Sequence, residues 1–153
     1  MIALRPYLAA DAPVLALIFR DSVEACEDYD DGKRAAWAAA AQEPAFGAKL
    51  AADLTLVATL EGAPQGFASL RGKDEIAMLY VHPDAQRQGL AAALVDALEK
   101  LARARGATRI SVDASENAEA LFFKRGYVGL RRNTKRMGDE WLGDTTMQKD
   151  FTP

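Results

Sequence analysis

The stretch Glu75–Ala91, EIAMLYVHPDAQRQGLA, decides the fold. Ile76 to Val81 is a continuous apolar run, as expected of a strand covered on both faces. His82-Pro83 opens a turn, and Gln86-Arg87-Gln88-Gly89-Leu90-Ala91 then runs into a long amphipathic helix. A strand that delivers backbone N–H groups to a helix N-terminus makes an anion site. The unpaired first-turn donors and the helix dipole both favour a phosphate there. Gly89 allows close approach to the backbone, and Ala91 and Ala92 keep the first turn uncrowded. Neither G-x-x-x-x-G-K-[ST] nor G-x-G-x-x-G occurs, so this is not one of the two commonest phosphate loops.

On both sides of this stretch the chain reads as a mixed α/β order. Residues 2–5 suit a short strand, and Asp11 is placed to N-cap a helix that buries Val14, Leu15, Leu17 and Ile18. A second helix is expected from Gly32 to Gln42, and Pro44 opens a third. LTLVATL at 54–60 and GFASLR at 66–71 flank EGAPQ, a turn that makes them a hairpin. Leu90, Leu94, Leu98 and Leu101 share one helix face, which Arg103, Arg105 and Gly106 close with a cationic last turn and a cap. A strand at 108–113, a helix at 116–125 and strands near 127–136 and 141–150, turning at Met137-Gly138-Asp139, complete the chain. No linker or repeat divides residues 1–153, so one domain is expected.

Gln86-x-x-Gly89-x-Ala91 after Leu79-Tyr80-Val81-His82-Pro83 resembles motif A of the GNAT superfamily of N-acetyltransferases, [RQ]-x-x-G-x-[GA]. Ala118–Tyr127, AEALFFKRGY, is similar to that family's A-x-x-[LF]-Y-x-x-x-G-[FY] segment, and the order of elements fits from Ile2 to about Phe151. The resemblance implies an α/β (α+β) fold with a mixed central sheet of about six to seven strands flanked by helices. It also implies acetyl-coenzyme A as cosubstrate, with its pyrophosphate on Gln86, Arg87, Gln88, Gly89, Leu90, Ala91 and Ala92. Leu79, Tyr80 and Val81 would follow its pantetheine arm, and Phe122 would pack against that arm. Ser115 stands where many relatives place a coenzyme-contacting asparagine, with Asn117 two residues on; Ser115 serves equally as the cap of the following helix.

Acetyl transfer to an amine requires a proton acceptor. An amine of pKa near 10.4 is almost wholly protonated at neutral pH, and presenting it neutral costs about 4–5 kcal/mol. Glu75 lies fourteen residues before Gly89, matching the general base of the histone-acetylating branch; its alternative is an exposed strand-end charge. The family's usual tyrosine acid is replaced here by Phe122, four residues before Gly126. Tyr80 and Tyr127 are the substitutes, against packing roles for both. His82, the only histidine, and Cys26, the only cysteine, read as structural. Glu24, Glu27, Asp28, Asp30 and Asp31 either attract a cationic amine or form a solvated helix end, and Tyr29, Trp37 and Trp141 either wall the acceptor channel or fill the core.

Composition sets the remaining bounds. A 153-residue chain that is 50% hydrophobic can bury about two-thirds of its unfolded surface. Apolar runs fall well short of the roughly 20 residues that span a bilayer, and the N-terminus lacks a signal pattern, so no membrane partner is expected. One cysteine excludes an internal disulfide and a thiolate metal cluster, which suits a cytoplasmic setting with no metal. A net charge of −3 argues against a nucleic-acid face. The expected activity is acetyl transfer to a primary amine of a small molecule or peptide in a ternary complex, by a monomer or homodimer. A non-catalytic acetyl-coenzyme A-binding module is the alternative. A nucleotide-phosphate enzyme is a third reading, disfavoured because no carboxylate lies where a magnesium partner belongs.

Overall fold

The computed structural model describes residues 1–152. Seven strands form one mixed sheet: β1 (Ile2–Pro6), β2 (Leu54–Leu60), β3 (Ala63–Arg71), β4 (Glu75–Val81), β5 (Arg109–Ser115), β6 (Val128–Met137) and β7 (Glu140–Asp150). Their order is β1-β2-β3-β4-β5-β7-β6, antiparallel throughout except for the parallel pair β4–β5. Helices α1 (Ala12–Glu24), α2 (Asp31–Ala38) and α3 (Pro44–Ala52) pack on one face, and α4 (Leu90–Ala104) and α5 (Glu119–Lys124) on the other.

The crossover from β4 to β5 is α4, built from strong helix formers, LAAALVDALEKLARA. Leu90, Leu94, Val95, Leu98 and Ala102 form its buried stripe against Ala68, Leu70, Ile76 and Val81 of the sheet. Each fully buried Leu contributes about 1.5–3 kcal/mol, so this face locks the crossover against β3 and β4. The opposite core layer is aromatic: Phe19, Trp37, Phe46, Phe67 and Tyr80 meet edge-on or tilted at centroid separations of 4.6–6.5 Å.

Two features of β4 position the site. Its register on β3 runs Ser69↔Met78 and then Leu70↔Ile76, so Ala77 is an extra residue, a bulge. The bulge keeps Ile76, Leu79 and Val81 on the α4 face while Met78 and Tyr80 face α1. Strand β4 also pairs with β5 only at Glu75↔Ser111 and Ile76↔Val112. Beyond that point the two strands part, and the β5-facing edge of β4 over Met78–Val81 has no strand partner.

Several local expectations are corrected. The hairpin turn is the tight pair Glu61-Gly62, with φ of 51° and 84°, and Ala63, Pro64 and Gln65 already belong to β3 or its bulge. Asp11 precedes α1 without capping it; its carboxylate takes a bidentate bond from Arg5 at 2.7 and 2.8 Å and another from the Leu8 N–H. Leu17 is exposed, so the buried side of α1 is Leu15, Ile18, Phe19 and Val23. The second helix ends at Ala38 and continues to Gln42 as a 3₁₀ turn. No helix of the described residues is long and apolar enough to cross a membrane.

Candidate active site

Where β4 leaves β5, a cleft of about 430 Å³ opens toward the start of α4. His82 sets the geometry of the turn between them. Its Nδ1 accepts from the Asp84 N–H at 3.1 Å, which places the ring proton on Nε2, 3.2 Å from Asp21 Oδ2. The Gln86 side-chain amide donates to the Val81 carbonyl at 2.8 Å and so ties the loop back to the strand end. Arg87 then adopts φ 64° and Gly89 φ 88°, both left-handed. A non-glycine residue in that conformation is strained, and such strain collects at ligand clamps. Among the described residues, no hydrogen bond takes up the backbone N–H groups of Arg87, Gln88 or Gly89. With the first-turn donors of α4 they leave a run of unpartnered backbone N–H groups, a chemistry that suits an anion.

Most residues expected at the coenzyme come together here: Leu79, Tyr80, Val81, Gln86, Arg87, Gly89, Leu90, Ala91, Ala92, Ser115 and Asn117 line this cleft. Gln88 is exposed and does not line it. The Ser115 hydroxyl donates to Asn117 Oδ1 at 2.7 Å and makes no capping bond, which corrects its reading as a helix cap. Phe122 is buried edge-on to Tyr127 and borders the neighbouring cleft, not this one. The sequence reading took the segment Ala118–Tyr127 to the site by resemblance but did not single out Ala118, Leu121 and Lys124, which reach the cleft from one side of α5 and the turn before it. Their i, i+3 spacing was the available signal.

A second cleft, about 360 Å³, lies on the α1–α2–α3 side of the same gap. Phe19, Tyr29, Trp37, Phe46 and Tyr80 wall it, and Glu43, Lys49, Arg71, Glu75, Asp113, Lys135 and Asp144 are its charged lining. Trp37, Leu79, Tyr80, Ser115 and Ala118 line both clefts, so the two meet where β4 and β5 separate. Glu75 is half-exposed, with its Oε1 3.8 Å from Arg71 Nη1. Burial pushes the Tyr80 hydroxyl well above its ordinary pKa. Burial also pushes the Cys26 thiol up, to about 11, so it is no nucleophile at neutral pH.

Other expected residues lie elsewhere. Tyr127 is buried in the α4-side core, donates to Glu99 Oε2 at 2.9 Å and lines neither cleft, so its hydroxyl is not brought to the site. Trp141 is exposed on β7. Glu24, Glu27, Asp28, Asp30 and Asp31 line neither cleft; Asp30 caps α2 through the Lys33 N–H, and Asp31 pairs with Arg34. Those five acids are a solvated helix end, as the simpler reading has it.

Residues 25–151 match the family model described as an acetyltransferase (GNAT) domain. The chain belongs to the GNAT acetyltransferase family. It is an acyltransferase of the N-acetyltransferase type by that membership. Among curated relatives of this GNAT protein, the uncharacterized N-acetyltransferase YafP of Escherichia coli (strain K12) is 30% identical over 149 residues, covering 96% of this chain and 95% of the relative. A crystal structure from Rhodopseudomonas palustris, described as "GCN5-Related N-acetyltransferase: Aminotransferase, Class-II", is 53% identical, with a TM-score of 0.95 over 97% of this chain and 95% of the other. The PaiA N-acetyltransferase of Thermoplasma acidophilum, solved in complex with coenzyme A, shares the fold at 17% identity, with a TM-score of 0.79 and 99% of both chains covered.

Proposed function

We propose that this protein transfers an acetyl group from acetyl-coenzyme A to a primary amine of a small molecule or peptide, by direct attack in a ternary complex. The meeting of the two clefts at Leu79, Tyr80 and Ser115 carries this reading. A coenzyme-binding module without catalysis has no use for a second cleft, and this one opens onto the same gap.

The residues fit the coenzyme. The free N–H groups of Arg87, Gln88 and Gly89 and the first turn of α4 suit a pyrophosphate, and PaiA of Thermoplasma acidophilum binds coenzyme A on the same fold. The unpaired edge of β4 offers backbone donors and acceptors to the amides of the pantetheine arm. When bound, acetyl-coenzyme A supplies a thioester whose carbonyl carbon the amine nitrogen attacks, forming the C–N bond as the C–S bond breaks.

Glu75 takes up the proton that the amine loses. It stands four residues before Leu79, about 13 Å along the strand at about 3.3 Å per residue, so water carries the proton between them. Tyr80 lies at the junction. Its raised pKa keeps the O–H protonated, available as a donor to the departing sulfur. A thiol of pKa near 8.5 is a tolerable leaving group, so a hydrogen bond suffices where the family's usual tyrosine is Phe122. The test is thiol release from acetyl-coenzyme A in the presence of an amine panel, with the acetylated product identified by mass spectrometry. Release that needs both substrates supports the assignment. Tight coenzyme binding without release for any amine overturns it.

A further inference from the structure

Three charged residues meet at the end of the sheet where β4 begins. Arg71 ends β3 and pairs in register with Glu75, the first residue of β4, so the two side chains leave the sheet on the same face. Both line the second cleft. Asp53 closes α3 as its C-cap and immediately precedes Leu54, which pairs with Leu70, so β2 brings it to the other side of Arg71. One arm of the guanidinium, Nη1, lies 3.8 Å from Glu75 Oε1, and the other, Nη2, lies 3.7 Å from Asp53 Oδ2. Neither separation is a hydrogen bond. Among the described residues these are the only ion pairs that Asp53 and Glu75 make; Lys49 lines the same cleft and pairs with neither.

The two carboxylates differ in their surroundings. The Asp53 side chain is only 10% exposed, and its Oδ2 is buried without a hydrogen bond. A buried carboxylate oxygen in that state is costly and rare, and Arg71 is the compensation this one has. The Glu75 side chain is 42% exposed at a strand end, where a glutamate left alone samples several rotamers. We propose that Arg71 is a positioning residue that keeps the Glu75 carboxylate at the second cleft, and that Asp53 is the buried anchor that keeps Arg71 in place. The anchor matters because the charge of Glu75 changes in each turnover. While Glu75 is ionised, the guanidinium is shared between two carboxylates. Once Glu75 holds the proton from the amine, its pull on Arg71 is lost, and the carboxylate of Asp53 alone retains the cation. A guanidinium suits this task, because its planar fork addresses two partners at once and does not give up its own proton.

This inference rests on Glu75 as the proton acceptor of the acetyl-transfer reading, and two double-mutant cycles separate it from that reading. The first needs no turnover. Arg71→Gln leaves the Asp53 carboxylate uncompensated and should lower Tm by about 2–4 °C, once the exposure of Arg71 is allowed for. Asp53→Asn in the Arg71→Gln background should restore part of that loss. The second cycle is read in the thiol-release assay. Arg71→Gln should lower kcat by about ten- to a hundredfold, with the affinity for acetyl-coenzyme A unchanged by calorimetry. In the Glu75→Gln background the same substitution should change kcat by less than about twofold, because the group it positions is already gone. Arg71→Lys, which keeps the charge and loses the fork, should fall between Arg71→Gln and the wild type, and it keeps both cycles readable if the glutamine variant does not fold. An equal fall in kcat with and without Glu75 would show Arg71 acting on the acceptor itself and overturn the assignment. So would strictly additive Tm losses, or a wild-type kcat in Arg71→Gln. Thiol release absent from the wild type with every amine would instead remove acetyl transfer itself, and the role of Glu75 with it.

Discussion

Gly89→Ala separates the conformational role of the phosphate loop from its binding role. A Cβ at Gly89 meets only Ile2 Cδ1 at 3.8 Å, an ordinary contact, so space is not the obstacle. The backbone is: φ is 88°, where an L-residue costs about 1–2 kcal/mol. Reduced freedom of the unfolded chain offsets about 0.4–1 kcal/mol of that, leaving a net loss near 1 kcal/mol and a fall in Tm of about 2–4 °C for a chain of this size. Gly62, at φ 84° with nothing within 4 Å, supplies the control, because it sits in the β2–β3 turn, outside both clefts. Gly62→Ala should lose the same stability. Only Gly89→Ala should also weaken acetyl-coenzyme A, because relieving the strain re-aims the free N–H groups that follow Gln86. Losing one or two charge-assisted bonds at about 1.5–3 kcal/mol each predicts a loss in affinity of ten- to a hundredfold or more, read by calorimetry. Wild-type affinity in Gly89→Ala, with the expected drop in Tm, would refute the claim that this backbone holds the pyrophosphate.

Four further outcomes follow from named contacts. Glu75→Gln keeps the side-chain shape and removes the proton acceptor, so turnover should fall about 10²–10⁴-fold with coenzyme affinity nearly unchanged, and raising the pH should partly restore the rate by supplying neutral amine. Tyr127→Phe, which removes only the bond to Glu99, should cost about 1–2 kcal/mol of stability in denaturant titration and leave turnover within about twofold. Tyr29→Phe strands two partners, the Gly143 carbonyl at 2.7 Å and the Glu116 N–H at 2.9 Å, so a larger loss of about 1–3 kcal/mol is expected. The Cys26 thiol binds its proton more tightly folded than unfolded, so between pH 9 and about 11 the native state holds more protons and stability falls as pH rises. Cys26→Ala should flatten that decline in thermal melts across the same window.

The readable parts of the fold were those set by short-range pattern. The apolar run of β4, the Ala/Leu-rich α4 stripe and Pro44 at the start of α3 each carry their signal within a few residues. Much of the cleft proposed for the coenzyme was legible for the same reason, since the end of β4, one loop and one helix start supply most of it. What the sequence did not disclose depends on pairing across the chain. The bulge at Ala77 exists only in the register of β4 on β3, and Asp11 turns from a helix cap to an ion-pair partner because β1 brings Arg5 beside it. The acid-rich segment Glu24–Asp31 left acceptor recognition and a solvated helix end both open by composition, and the structure takes the second: Asp30 caps α2 and Asp31 pairs with Arg34, while Tyr29 and Trp37 from the same region turn inward. The charged residues that do line the second cleft are scattered from Glu43 and Lys49 through Arg71 and Glu75 to Asp113, Lys135 and Asp144, and carry no shared local motif. Of the two readings of Tyr127, a substitute acid or a packing residue, the second holds: it is buried under α4 with its hydroxyl on Glu99.

Initial-rate kinetics with acetyl-coenzyme A and an amine varied together test the central claim most directly. Two clefts that meet at Leu79, Tyr80 and Ser115 hold both substrates at once, so double-reciprocal plots should give intersecting lines, and the protein incubated with acetyl-coenzyme A alone should keep its unmodified mass. Parallel lines together with a stoichiometric acetyl-enzyme would contradict direct transfer between the two clefts.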